Sequence, residues 1–174
     1  GNMAVSQRES GYARKERDLY ETPEWVTEAL IPALTPKPAE VWECAAGSWK
    51  MSNVLARYMR SFPTDIHIDD GTLNGTDFLE AMEPPDGVDG IITNPPYELA
   101  TEFCEHALRL MEPINGMVAM LLRTDFDHAK SRTHLFRDCP AFAKKLVLMR
   151  RIAWFVEADG KPKASPSFNH AWYI

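Results

Sequence analysis

The segment that most constrains the fold spans residues 88–122. Val88-Asp89-Gly90-Ile91-Ile92-Thr93 is an apolar run of strand length, and Ile91 and Ile92 suit a buried strand. Beyond Asn94-Pro95-Pro96-Tyr97, the residues Ala100, Phe103, Cys104, Ala107, Leu108 and Met111 fall at i, i+3, i+4, i+7, i+8 and i+11. That spacing is the stripe of an amphipathic helix. A second apolar run covers residues 117–122. Strand, helix and strand make a βαβ unit, whose crossover is right-handed.

The tetrapeptide Asn94-Pro95-Pro96-Tyr97 then sits at the carboxyl end of a strand, the edge of an open α/β sheet where ligands bind. Two successive prolines remove two backbone donors and fix two φ angles. The loop is therefore stiff, and the carbonyls of Asn94 and Pro95 have no neighbouring N–H to claim them. The Asn94 side-chain oxygen adds a third acceptor, and Tyr97 adds a flat ring. Such a set can hold a planar amine, with acceptors for its two N–H bonds and a ring against its face. Asn-Pro-Pro is also a serviceable turn, but a turn alone does not account for its place between a strand and a helix.

Elsewhere, residues 1–17 are polar and aperiodic and read as a flexible leader. In Asp18-Leu19-Tyr20-Glu21-Thr22-Pro23, Thr22 can cap a helix, Pro23 suits its first turn and Glu24 its dipole. That helix is expected to end near Leu30, before the proline-rich residues 32–38. Val41-Trp42-Glu43-Cys44 reads as a short buried strand, Ala45-Ala46-Gly47-Ser48 as a small-residue turn, and residues 51–58 as a helix. Further strands are expected at 64–68, around 75–79, at 146–156 and at 168–174. The alternation predicts an α/β fold: a mostly parallel, seven-stranded sheet with helices on both faces and a final antiparallel strand.

Charge and cysteine usage narrow the class. The 174 residues suit one domain, 18–174 after the leader. No stretch is long and apolar enough to cross a membrane, and no secretory signal is visible. Cys44, Cys104 and Cys139 lie far apart without a CxxC pair, which argues against a disulfide framework or a zinc site and fits a reducing, cytoplasmic setting. Five scattered histidines give no metal-ligand spacing. The net charge of −6 weakens a nucleic-acid assignment without excluding it, because basic residues gather locally at Arg14-Lys15, Lys144-Lys145 and Arg150-Arg151. Such pairs are commonly just a solvated face.

A strand, a small-residue turn and a helix, followed by an acid about twenty residues on, suggest the nucleoside-binding half of a Rossmann-like sheet. The turn is not GxGxxG: Gly47 is its only glycine, and Trp49 and Lys50 occupy places where small residues are expected. As a whole, the pattern resembles the adenine-N6 type of S-adenosylmethionine-dependent methyltransferases, in particular their small, stand-alone, phage- and prophage-associated members. The resemblance rests on Trp42-Glu43-Cys44-Ala45-Ala46-Gly47, Thr64-Asp65-Ile66, Gly75-Thr76-Asp77-Phe78-Leu79, Ile91-Ile92-Thr93-Asn94-Pro95-Pro96-Tyr97 and Tyr20-Glu21-Thr22-Pro23. It covers roughly residues 18–174.

The resemblance implies a class I methyltransferase fold, S-adenosylmethionine as cofactor and DNA as substrate. Gly47, Ala45 and their neighbours would cradle the amino-acid and ribose portion of the cofactor, with Glu43 supporting the loop. Asp65, followed by Ile66, would take the ribose hydroxyls, with Asp69 as second choice. Asp77 would meet the cofactor's adenine at its amine and Phe78 at its face. Tyr20, Thr22 and Pro23 would close over the methionine end. Asn94, Pro95, Pro96 and Tyr97 would form the catalytic loop. Trp49 stands where the family usually has its second glycine. Only residues 48–93 separate the cofactor and catalytic loops, so no separate target-recognition domain is expected. Two other readings stay open: the same fold acting on an RNA base or a protein glutamine, and a non-catalytic binding module.

Overall fold

The computed structural model describes residues 21–66, 75–154 and 168–174. The helices are α1 (Glu24–Leu30), α2 (Lys50–Leu55) and α3 (Ala100–Met111), and the strands are β1 (Glu40–Glu43), β2 (Arg60–Pro63), β3 (Gly90–Thr93), β4 (Met117–Arg123), β5 (Lys145–Val147) and β6 (His170–Tyr173). The strands form one sheet in the order β2-β1-β3-β4-β6-β5. β1 runs parallel to β2 and β3, and β3 runs parallel to β4. β6 is antiparallel to both β4 and β5.

Alternation along the strands divides the core between the two sheet faces. Trp42, Ile91, Met120, Leu122, Ala171 and Tyr173 pack with Phe103, Ala107 and Met111 of α3. Their neighbours Val41, Ile92, Ala119, Leu121 and Trp172 pack with Val26 and Leu30 of α1 and Met51 and Leu55 of α2. Each buried strand is therefore apolar on both faces, as a parallel sheet covered by helices requires. The fully buried Trp172 also donates its indole N–H to the Val26 carbonyl at 2.9 Å, tying the last strand to the first helix. No helix among the described residues is long and apolar enough to cross a membrane.

The βαβ unit and the antiparallel last strand follow the sequence expectation; other elements depart from it. β2 lies at 60–63, ahead of the strand expected at 64–68, of which residues 67 and 68 lie outside the described part; it is an edge strand of the described sheet, with alternating exposure and little apolar signal. An edge position also tolerates Pro63. Beyond it the ladder tapers through Thr64, whose N–H donates to Glu43 O and whose carbonyl accepts from Ala46 N–H.

The stretch 75–79 makes a single bridge, from Gly75 to Asp65, and then turns into a 3₁₀ helix at Phe78–Glu80. The described sheet thus has six strands instead of seven. Within 146–156 only the start is strand. Residues 155 and 156 lie outside the described part, as does the expected leader. α2 ends at Leu55, before Tyr58. Thr22 does not cap α1: Pro23 flanks it and no side chain closes the turn.

Candidate active site

The strand order has one consequence that local sequence does not carry. From β1 the chain moves to β2 on one side, and it returns to place β3 on the other. The loops leaving β1 and β3 therefore diverge, opening the crevice in which α/β folds bind ligands. Those two loops are 44–49, which contains Gly47, and 94–97.

The first loop is held by two buried carboxylates. Glu43, 2% exposed at the end of β1, accepts from Ala45 N–H at 2.9 Å and from the Thr93 hydroxyl at 2.6 Å. One carboxylate oxygen thereby couples the turn after β1 to the last residue of β3. Asp65, 4% exposed, accepts from Gly47 N–H at 2.9 Å. Ala46 O accepts from Trp49 N–H. Gly47 and Trp49 both have left-handed backbones, at φ 53° and 73°. Ser48 donates its hydroxyl to Glu21, so the segment preceding α1 meets this loop.

Burial pushes the Glu43 carboxyl up to about 8, against the opposing hydrogen bonds from Thr93 and Ala45, and the Asp65 charge adds to the rise. Burial and the adjoining Glu43 push the Cys44 thiol well up as well, so it is no nucleophile at neutral pH. Because the folded Glu43 holds its proton to higher pH than the unfolded chain does, its contribution to stability is present in acid and is lost as pH rises from about 4.5 to about 8. Glu43→Gln keeps an acceptor for Ala45 and Thr93 but carries no charge. Relative to wild type, the variant is expected to gain stability progressively through that window, read from denaturant unfolding at successive pH values. A pH-independent difference would refute this.

The second loop leaves β3, all four residues of which are buried. Pro95 and Pro96 are buried, Asn94 is half-buried and Tyr97 is 65% exposed. Pro96 O accepts from Leu99 N–H, closing the 3₁₀ turn Tyr97–Leu99 that leads into α3. Among the described residues no hydrogen bond engages the Asn94 side chain. A half-buried amide at a sheet's carboxyl edge is thus left with its acceptor capacity available. The Tyr97 hydroxyl accepts from Arg123 at 3.2 Å, and its ring lies 5.6 Å from that guanidinium.

The structure therefore brings Glu43, Ala45, Gly47 and Asp65 together, and Thr93 links them to the loop of Asn94, Pro95, Pro96 and Tyr97. Asp77 is half-buried and caps its own turn by accepting from Leu79 N–H at 3.0 Å. It lies close in sequence to Thr76, whose N–H donates to Asp65 O. Ile66 is half-buried against the α3-side core.

Phe78 departs from the expected role. It is fully buried, with Trp42, Phe103 and His106 at 5.1, 4.9 and 5.0 Å. These contacts occupy the ring, so it braces the site from within the core and offers no free face to a ligand. Thr22 is buried and Pro23 half-buried beside the Glu21–Ser48 contact, while Tyr20 and Asp69 lie outside the described residues. Sequence reasoning missed Thr93, a hydroxyl at the end of one apolar run, and Arg123, a charge ending another.

Trp49 keeps the left-handed conformation that glycine adopts freely, at a backbone cost of roughly 1–2 kcal/mol for any other residue. Its buried indole N–H has no partner among the described residues. Trp49→Gly is accordingly expected to leave ligand affinity at this loop unchanged or to raise it, as measured by calorimetry with thermal unfolding as control. Lost affinity in a folded variant would show that the indole itself binds.

A cavity of about 850 Å³ lies at the other end of β4, among Leu108, Met117, Cys139, Phe142 and Ile174, away from both loops. No group of three or more His, Cys, Asp or Glu side chains among the described residues is placed to hold a metal ion.

No family model matches the chain, and no curated protein sequence does. Solved structures do match. A proposed RNA methyltransferase from Pyrococcus horikoshii aligns with a TM-score of 0.63 at 14% identity, over 98% of this chain and 94% of that one. The 23S rRNA methyltransferase ErmE aligns at 0.57 and 16% identity, over 86% and 66%. The 1,6-didemethyltoxoflavin-N1-methyltransferase of Burkholderia thailandensis, solved with its substrate and S-adenosylhomocysteine, aligns at 0.56 and 10% identity, over 97% and 84%. Likeness at these identities establishes the fold: this chain has the Rossmann-like class I methyltransferase architecture.

Proposed function

We propose that this protein is an S-adenosylmethionine-dependent methyltransferase acting on the exocyclic amine of adenine in DNA. The observation that carries the reading is the meeting of two loops at the sheet's switch point. One is shaped by buried carboxylates, and the other presents the unengaged Asn94 amide. The donor set fits the cofactor. The buried Asp65 offers acceptor oxygens to ligand hydroxyls beside this turn, and the left-handed Gly47 lets the backbone approach the ligand closely. Gly47, Ala45 and Glu43 would hold the amino-acid and ribose portion, Asp65 the ribose hydroxyls and Asp77 the adenine amine. When bound, S-adenosylmethionine supplies a methyl group made electrophilic by its sulfonium sulfur.

The chain's own residues do the rest. The amine of adenine is a poor nucleophile because its lone pair is delocalised into the ring. Asn94 Oδ1 and the Pro95 carbonyl accept its two N–H bonds and favour a tetrahedral nitrogen, whose lone pair is then directed toward the methyl group. As the nitrogen took the methyl, the carbon–sulfur bond would break with its electron pair passing to the sulfur of the leaving thioether; positive charge would grow on the amine hydrogens, which those two acceptors would stabilise, and one of those protons would then pass to solvent. Orientation and preorganised electrostatics are both large terms in enzymes. Tyr97 stacks on the base, which in duplex DNA has first to leave the helix.

RNA is the second reading, favoured by two structural neighbours named for RNA substrates. The test is radiolabelled methyl transfer to single- and double-stranded adenine-containing DNA and to RNA of the same sequence. Transfer to DNA in preference to RNA is the expected result. Preference for RNA would move the assignment to that substrate, and cofactor binding without transfer to either nucleic acid would overturn it.

A further inference from the structure

Among the described residues the guanidinium of Arg123 engages Tyr97, Asp125 and Phe168 at the mouth of the site. β3 and β4 are parallel neighbours, with Thr93 opposite Met120, so Arg123 at the end of β4 emerges beside the Asn94–Tyr97 loop. Its Nη1 donates to the Tyr97 hydroxyl at 3.2 Å. Its Nη2 donates to Asp125 at 3.0 Å. Its flat face lies 3.8 Å from the centre of the Phe168 ring. The side chain is only 25% exposed, whereas the two aromatic residues it joins are 65% and 51% exposed. Among the described residues neither ring belongs to the core clusters, so the core they form does little to orient Tyr97.

We propose that Arg123 is a positioning residue for Tyr97, holding that ring at the angle needed to receive a planar base. The inference rests on the methyltransferase reading and deepens it, since it assigns substrate fit to a residue outside the catalytic loop. Arg123 is the obvious candidate for a direct phosphate contact on a nucleic-acid enzyme, but its surroundings argue otherwise. Both terminal nitrogens and one face are already engaged, and Asp125 balances its charge. A planar fork that donates in two directions while stacking on a ring is a task lysine cannot perform. The Tyr97 hydroxyl also acquires a use that stacking alone would not give it.

The test uses the full chain with single-stranded adenine-containing DNA and the variants Arg123→Met, Arg123→Lys, Tyr97→Phe and the double variant Arg123→Met/Tyr97→Phe. Losing one hydrogen bond of this kind is expected to raise KM roughly 3- to 10-fold, with kcat little changed. The double variant should be no worse than the poorer single variant, because the two residues act as a unit. Lysine should not rescue. The dependence of KM on salt should be the same in all variants.

An additive double variant, rescue by lysine, or a salt slope reduced by about one counterion would overturn the proposal in favour of a phosphate contact. Aromatic ¹³C relaxation of Tyr97 supplies a readout independent of activity: its ring order should fall in Arg123→Met while thermal stability holds. Unchanged ring order in that variant would also overturn the proposal. If wild-type protein methylates no nucleic acid, the relaxation measurement still decides the Arg123–Tyr97 coupling, so failure of the functional reading and failure of this inference are separable.

Discussion

Asn94→Ala is expected to abolish methyl transfer while leaving S-adenosylmethionine binding largely intact. The geometry separates the two effects. Asn94 lies on the loop after β3 with its amide unengaged, whereas the proposed cofactor contacts, Glu43, Gly47 and Asp65, form their own hydrogen-bonded set around the loop after β1. Removing the side chain deletes the acceptor that stabilises charge growing on the amine. Losing a comparable preorganised hydrogen-bond partner costs on the order of 10²–10³ in turnover. An interaction made mainly in the transition state lowers kcat rather than ground-state affinity. Because the amide makes no hydrogen bond to the described protein, truncation should cost little stability. Single-turnover methyl transfer, paired with calorimetric cofactor titration, checks both halves. Transfer that survives the substitution would refute the mechanism.

Asp65→Ala is expected to damage the cofactor loop twice over. The carboxylate now accepts from Gly47 N–H at 2.9 Å from a site that is 4% exposed. Deleting it leaves a poorly solvated backbone donor without its partner, which costs about 1–3 kcal/mol. It also removes the acid proposed for the ribose hydroxyls, with a further loss of about 1–3 kcal/mol in cofactor affinity on the scale of a charge-assisted hydrogen bond. Asp65→Asn separates the two contributions, since its amide oxygen can still accept from Gly47. Stability should recover in the asparagine variant while affinity recovers only in part. Equal affinity for wild type and Asp65→Ala would remove Asp65 from the cofactor site.

Much of the local structure around the candidate site was legible because its pieces are local. The stiffness of Asn94-Pro95-Pro96 is a property of prolines, and its place at a strand end follows from the apolar run before it. The small residues around Gly47 announced a close-approach turn in the same way. What stayed hidden was the use each side chain finds in the folded chain. Phe78 reads as a ring beside an acid, but in the fold it fills the space between Trp42 and Phe103. The hydroxyl of Thr93 is tied to a carboxylate fifty residues earlier, and Arg123 to a tyrosine twenty-six residues earlier. Pairings of that range leave no period in the sequence.

Strand and helix periodicity, the rigid loop after β3 and the small-residue turn after β1 were determined by the sequence alone, because they depend on residue type and on neighbours within one or two turns. The sheet order was decided by the tertiary structure: β3 settles beside β1, opposite β2, and the two loops come to face one crevice. The short run of β2 at the sheet edge was also decided there, since an edge strand with alternating exposure buries too little to announce itself. So was the commitment of Glu43 and Asp65 to backbone donors of the loop they border, because an acid's hydrogen bonds depend on which donors the assembled fold brings within reach.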